Sequence, residues 1–186
     1  MSVLVSVITR ENVSVGTLDW LLKCGHAVDI VCTPYTIAHN RNQAVLNFLA
    51  SKHDYFYTLD SDCVPRPGTV ERLLAYNLPV VASPATCLVN GELGVMACDH
   101  DESGYKQHYP MEGLQRVDAV GGTGVLVRRD VLESLTPPWY MDEYDDNGLM
   151  DCGEDFYFSR KLTDAGYEIW ADFGLVQAHR GLLWPM

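Results

Sequence analysis

Across residues 3–83, four short apolar runs alternate with three stretches of helical period. No other feature of the chain restricts its fold as much. Val3 to Ile8, Ala27 to Cys32, Tyr55 to Leu59 and Val80 to Ser83 are short and rich in β-branched or aromatic residues, as strands are. Between them, Val13 to Cys24 places Leu18, Leu21 and Leu22 on one helical face and stops at Gly25. Ile37 to Ser51 repeats Ala38, Val45, Leu46 and Leu49 with helical period, and Thr69 to Ala75 reads as a shorter helix. Strands that alternate with helices predict a mostly parallel sheet in an α/β three-layer sandwich. Such sheets bind ligands beyond the C-terminal ends of their strands.

After Pro84 the pattern changes. Asn90-Gly91 between apolar runs is a hairpin signal. "RVDAVGGTGVLVRRDVLESL" reads as strand, glycine-rich bend, strand, then a helix from about Asp130. Residues 137–153 read as a loop, Glu154 to Ala165 as a helix stopped by Gly166, and Glu168 to Ala171 and Leu175 to Ala178 as short strands. The second half is therefore expected to be mixed and partly antiparallel, built onto the first half's sheet. No Pro/Gly/Ser-rich linker divides the 186 residues, so one domain is expected over 1–186.

Composition narrows the function. Asp and Glu number 25 against 13 Lys and Arg, a net charge of −12, which makes a poor general binder of nucleic acid or anionic membrane. No apolar run approaches the ~20 residues of a membrane span. "MSVLVSVITRE" has no basic flank and no small-residue cleavage site, which leads to the expectation of a cytoplasmic protein. The six cysteines form no CxxC pair and are expected as free thiols. Cys98, His100 and His108 could suggest zinc but fit no common zinc spacing, and the stretch reads as a polar loop.

"YFYTLDSDCVP" carries the chemistry. A buried strand runs into Asp60 and Asp62 with only Ser61 between them. In extended chain, residues i and i+2 face the same side, roughly 6–7 Å apart. At an effective dielectric of ~20 the two charges repel by roughly 3 kcal/mol, which a divalent cation would offset. A turn that splays the two side chains is the alternative.

Four blocks stand in order: "AHNRNQAV", "YTLDSDCVPRPG", "VGGTGVLVRRDVLESL" and "GEDFYFSRKLTDAGYEIWAD", followed by His179. Together they resemble the GT-A glycosyltransferases, in particular the family 2-like enzymes that use nucleotide sugars. The resemblance covers roughly residues 1–180. It implies a GT-A, Rossmann-like fold, with residues 1–84 as the nucleotide-binding half and 85–186 as the acceptor side. It implies Mn²⁺ or Mg²⁺ at Asp60, Asp62 and His179. Donor contacts would come from Thr9, Arg10, Arg41, Asn42, Asp60, Ser61, Gly121 and Gly122, with Asp118 as a candidate for a sugar hydroxyl. Asp155 is implied as general base, with Glu154 beside it at the acceptor.

Two elements depart from the family's pattern: "VITRE" after the first strand and "VDIVCTPYT" at the second. Both fall where the family holds the nucleotide base, so UDP is preferred only as the commonest nucleotide of such enzymes. A glycan, a protein, a small molecule or a modified DNA base all suit the acceptor role. Two other readings compete. A nucleotidyltransferase would want a Gly-rich basic loop after the first strand, which "ITRENVSVG" is not. A non-catalytic binding module would lose the carboxylates that are present here. Trp139, Tyr140 and Trp184 suit either stacking on a ligand or internal packing.

Overall fold

The structure, a computed structural model, describes residues 1–89, 91–102, 104–107 and 112–179. The first half runs β1 (Val3–Thr9), α1 (Val15–Lys23), β2 (Ala27–Cys32), α2 (Ile37–Ala50), β3 (Tyr55–Asp60), β4 (Cys63–Val64), α3 (Thr69–Ala75) and β5 (Val80–Ala82). The helix starts follow from short polar caps. Ser14 accepts from the Thr17 N–H and Thr36 from the His39 N–H, each at 3.1 Å, which satisfies a donor left open by the first turn.

The second half first contributes β6 (Thr86–Val89), β7 (Glu92–Val95), β8 (Ala97–Asp101), β9 (Gly104–Gln107), β10 (Leu114–Val117) and β11 (Ala119–Val120). There follow β12 (Val125–Arg128), α4 (Arg129–Ser134), β13 (Glu143–Tyr144), β14 (Met150–Cys152), α5 (Glu154–Asp164), β15 (Ile169–Asp172) and β16 (Ala178–His179). Arg129 ties the halves together. Its guanidinium donates to the carbonyls of Phe48 and Ser51 at 3.1 Å, closing the C-terminal end of α2.

Seven strands form one sheet in the order β10-β15-β5-β12-β3-β1-β2. β1 runs parallel to β2 and β3, and β15 runs parallel to β5. β12, from the second half, inserts antiparallel between β3 and β5, and β10 closes the edge antiparallel to β15. The bend before β12 sets this direction. Gly124, at φ 75°, donates its N–H to the Thr58 carbonyl at 2.7 Å, and a Cβ there would lie 2.2 Å from the Ser83 carbonyl oxygen. Only glycine can turn the chain back down the sheet at that point.

Strand residues alternate between two buried clusters. Leu4, Ile8, Phe56, Val80, Val125 and Ile169 join α2, α4 and α5 on one face. Val5, Val7, Tyr57, Leu59, Val81 and Leu126 join α1 and α3 on the other. This two-residue period is the expected signature of a sheet buried on both sides.

Two local expectations change. Leu175 to Ala178 is not one strand: the Asp172 carboxylate accepts from the Gly174 N–H at 2.9 Å and winds Phe173–Leu175 into a 3-10 turn before β16. The expected loop at 137–153 contains the β13–β14 hairpin, whose turn is held by Asp145 accepting from the Asn147 and Leu149 N–H groups. The last helix of the glycine-rich block starts at Arg129. β6 and β7 pair antiparallel on either side of the expected hairpin dipeptide, although Asn90 itself lies outside the described residues. His108 and Trp184 also lie outside them. All six cysteines are free, and no helix among the described residues is long and apolar enough to cross a membrane.

Candidate active site

A cleft of about 410 Å³ opens where β1 and β3 end. Thr9, Arg10, Asp60, Ser61 and Asp62 come to it from those strand ends and Arg41 from α2. Gly121, Gly122 and Thr123 come from the bend before β12, Glu154 and Asp155 from the start of α5, and His179 from β16. The site residues expected from the sequence thus line one cavity, apart from Asn42 and Asp118. Asn42 is turned away. Its amide donates to the Tyr140 carbonyl at 2.7 Å and its oxygen accepts from the Trp139 N–H at 2.9 Å. It anchors the chain after α4 and does not reach the cleft.

Arg41 is the centre of the buried part. Its Nε donates to Glu154 Oε1 at 3.0 Å, Nη1 to the Gly122 carbonyl at 2.6 Å, and Nη2 lies 2.9 and 3.2 Å from the two Asp60 oxygens. Burial works against the charge on Arg41, but Asp60 and Glu154 outweigh it and raise its pKa further. A Cβ on Gly122 would come within 2.5 Å of the guanidinium carbon, so glycine is required for this approach. Asp60 is held from a second side by its own N–H, which donates to Thr123 Oγ1 at 2.9 Å. Burial raises the Asp60 pKa, and Arg41 opposes that rise.

This arrangement corrects the reading of the Asp-Ser-Asp triplet. β3 ends at Asp60, and Ser61 and Asp62 form a turn into β4, so the extended-chain geometry does not continue through Ser61. The two carboxylates part. Asp60 goes to Arg41, whereas Asp62 goes to His179, because His179 on β16 pairs with Cys63 on β4. Asp60 therefore does not belong to the potential metal group, which comprises Asp62, Cys63 and His179 with ligand atoms within 4.8 Å of one another.

That group offers donors for a divalent cation. His179 Nδ1 lies 3.0 Å from the Thr86 carbonyl oxygen, which can only accept, so Nδ1 donates there and Nε2 is turned toward Asp62. Nε2 faces Asp62 Oδ1 at 3.6 Å, beyond hydrogen-bonding distance. Cys63 is fully buried, and burial, with Asp60's charge second, raises the pKa of its thiol. The carboxylate oxygen suits Mn²⁺ or Mg²⁺, and the imidazole nitrogen and thiol beside it suit Zn²⁺ as well.

Asp155 is placed differently from its neighbour. Glu154 is committed to Arg41. Asp155 accepts from the Phe156 N–H of its own helix at 2.9 Å. Burial, then the charge of Glu154, raises its pKa from 3.8 to about 6, against the opposing pull of Arg41. A carboxylate poised near neutrality suits general acid–base work.

Several other candidates make contacts within the protein. Thr9 lines the cleft, but its hydroxyl donates to the Asn12 carbonyl at 2.8 Å. The Asp118 carboxylate accepts from the His100 N–H at 2.8 Å. Trp139 is buried with Nε1 donating to the Leu132 carbonyl, and Tyr140 is buried with its ring stacked on Phe158 at 4.5 Å. Cys98 is buried in the core and its thiol is pushed up to about 12 by burial. Thr86 and Thr123 help build the site yet carry no sequence signal. One acts through its carbonyl, and the other is a small polar residue inside a glycine run.

No protein-family model matches this chain, and no curated protein matches its sequence. Solved structures do match. A197 from STIV aligns at a TM-score of 0.74 and 21% identity, over 96% of this chain and 85% of that one. GalNAc-T7, solved with UDP, GalNAc and Mn²⁺, aligns at a TM-score of 0.62 and 12% identity, over 96% of this chain and 43% of that one. GalNAc-T7 is a GT-A glycosyltransferase, and the present chain has a GT-A-like fold. At these identities the likeness concerns the fold alone.

Proposed function

We propose that this chain is a metal-dependent glycosyltransferase, acting as one domain, that moves a sugar from a nucleoside diphosphate to an acceptor hydroxyl. The observation that carries the reading is that His179 Nε2 faces Asp62 Oδ1 at 3.6 Å in the same cleft as the half-buried Asp155, whose pKa is raised to about 6. Asp62 and His179 would hold Mn²⁺ or Mg²⁺, which when bound supplies Lewis-acid stabilisation of the departing diphosphate. The fold shared with GalNAc-T7, whose structure contains UDP and Mn²⁺, supports UDP as the first nucleotide to test.

The chain's own residues divide the remaining work. Arg41 fixes Asp60 and Glu154, and so sets the spacing between the donor and acceptor sides of the cleft. Arg10, exposed at the end of β1, offers a cation to the donor phosphates. Gly121 and Gly122 line the donor side of the cleft, where their missing Cβ atoms make room for Met96 and for the Arg41 guanidinium. Asp155 takes the proton from the acceptor hydroxyl as its oxygen bonds to the anomeric carbon and the bond to diphosphate breaks, an inverting displacement.

Incubating the protein with a panel of nucleoside diphosphate sugars and Mn²⁺ tests this. Slow release of nucleoside diphosphate from at least one donor, abolished by EDTA, is expected. Release from none of them would refute the reading.

A further inference from the structure

The two edges of the main sheet are built differently. β10, at one edge, is four residues long, and its Arg116 stands in an exposed ion pair with Glu168 at 3.7 Å. A short edge strand that carries a long cation discourages further pairing. β2, at the other edge, is six residues long and among the described residues pairs on one side only, with β1. Ala27–Cys32 contains no proline, glycine, lysine or arginine. Its one charge, Asp29, is turned to α2, where it accepts from the Asn47 amide at 2.8 Å. The outer backbone groups of β2 thus form an open template for a further strand.

One face of this edge is apolar. Val28 and Ile30 lie in register with Val5 and Val7, and so share the face on which α1 and α3 pack. Val5 and Val7 are covered there, whereas Val28 and Ile30 are 41% and 52% exposed. α3 packs on β12, and Trp20 of α1 turns to α3, lining a cavity with Val70 and Glu71. Leu18 and Leu22 lie about 160° round α1 from Trp20, on the side of β2, and both are exposed. An apolar strip therefore crosses from the helix to the strand edge.

Charge decides what covers it. The whole chain carries −12, but residues 13–36 carry only Asp19, Lys23 and Asp29. Two copies repel each other over most of their surface and least through this face. Asp19 and Lys23, an exposed pair at 2.7 Å, present both signs, so the face is complementary to itself about a two-fold axis. The strand is ~20 Å long and the sheet with its helix layer ~25 Å deep, so about 500 Å² per copy is covered, close to the ~1,000 Å² in total that a specific interface needs.

We propose that β2 pairs antiparallel with β2 of a second copy, joining the two seven-stranded sheets edge to edge. Ile30 then faces its own copy and Val28 faces Cys32, which keeps the two Asp29 carboxylates from opposing each other. The clefts, at the C-terminal ends of β1 and of its copy, open at opposite ends of the joined sheet.

Sedimentation of the whole chain between about 1 and 200 µM tests this. A mass approaching twice the 20.8 kDa of one chain is expected at the upper concentrations. Ile30→Lys places two ammonium groups across the axis and should raise the dissociation constant at least about tenfold. Leu149→Lys, at an exposed leucine elsewhere, should leave it unchanged. Amide exchange of the wild type decides the matter if Ile30→Lys does not fold: the outer β2 amides should be protected at high concentration and released on dilution, with β10 unaffected. A wild type that stays monomeric, a dimer undiminished in Ile30→Lys, or β2 exchange independent of concentration would overturn the proposal.

Discussion

Asp60 and Asp62 leave the same strand end and enter two different environments. Asp60 lies against Arg41, which is 4% exposed at its side chain and also holds Glu154 and the Gly122 carbonyl. Every charge in that group has a partner within the protein. Asp62 is 39% exposed and faces a histidine whose proton is directed at the Thr86 carbonyl. The first environment is built to hold geometry, and removing one partner strands the rest. The second is the one proposed to receive a cation, and its exposed carboxylate contributes little to the core. Asp155 lies between these extremes: buried like the first, yet outside the Arg41 hydrogen bonds.

Asp155→Asn should give the largest effect. It keeps size and polarity but cannot accept a proton, so turnover should fall by about 10²–10⁴ with donor affinity little changed. Wild-type turnover should rise with pH through about 6 as Asp155 ionises. Steady-state kinetics across pH 5–8 check both; near-normal turnover in the variant would remove Asp155 from the chemistry.

Arg41→Met comes next. It leaves Asp60 and Glu154 facing each other without a cation in a largely buried site. Breaking such a group costs about 3–5 kcal/mol, and the partial exposure of the two carboxylates places this case near the lower end. Urea unfolding measures it. A loss under 1 kcal/mol would mean that Arg41 belongs with the ligand-facing groups.

The smallest effect sharpens the comparison at Asp155. Its folded pKa is raised above the unfolded value, so the folded state binds the extra proton between about pH 4 and 6. Stability from this group is fully present below pH 4 and lost as pH rises through 6. Asp155→Asn should therefore be more stable than wild type by about 1–2 kcal/mol at pH 7.5, and the difference should vanish near pH 4. Thermal melts at the two pH values show the sign directly.

The alternation of the first half was legible because strand and helix periods are local. The antiparallel insertion of β12 between β3 and β5 was not, since strand order depends on pairings across dozens of residues. Arg41 was legible as a site residue but not in its role. Its partners lie 19, 81 and 113 residues away in sequence. Asn42, one residue on, is rotated by about 100° around α2 and so faces Trp139 and Tyr140 instead of the cleft. The separation of Asp60 from Asp62 turned on whether Ser61 is extended or in a turn, and Ser and Asp allow both.

The central claim is that Asp62 and His179 bind a cation on which nucleotide binding depends. Calorimetry of UDP and GDP with the wild type, Asp62→Ala and His179→Ala, in Mn²⁺ and in EDTA, tests it directly. The account predicts that Mn²⁺ tightens binding of one nucleotide to the wild type by at least about tenfold, and that either variant loses this gain while melting near the wild-type temperature in EDTA. Equal nucleotide affinity in Mn²⁺ and EDTA, or a full metal effect in both variants, would contradict it.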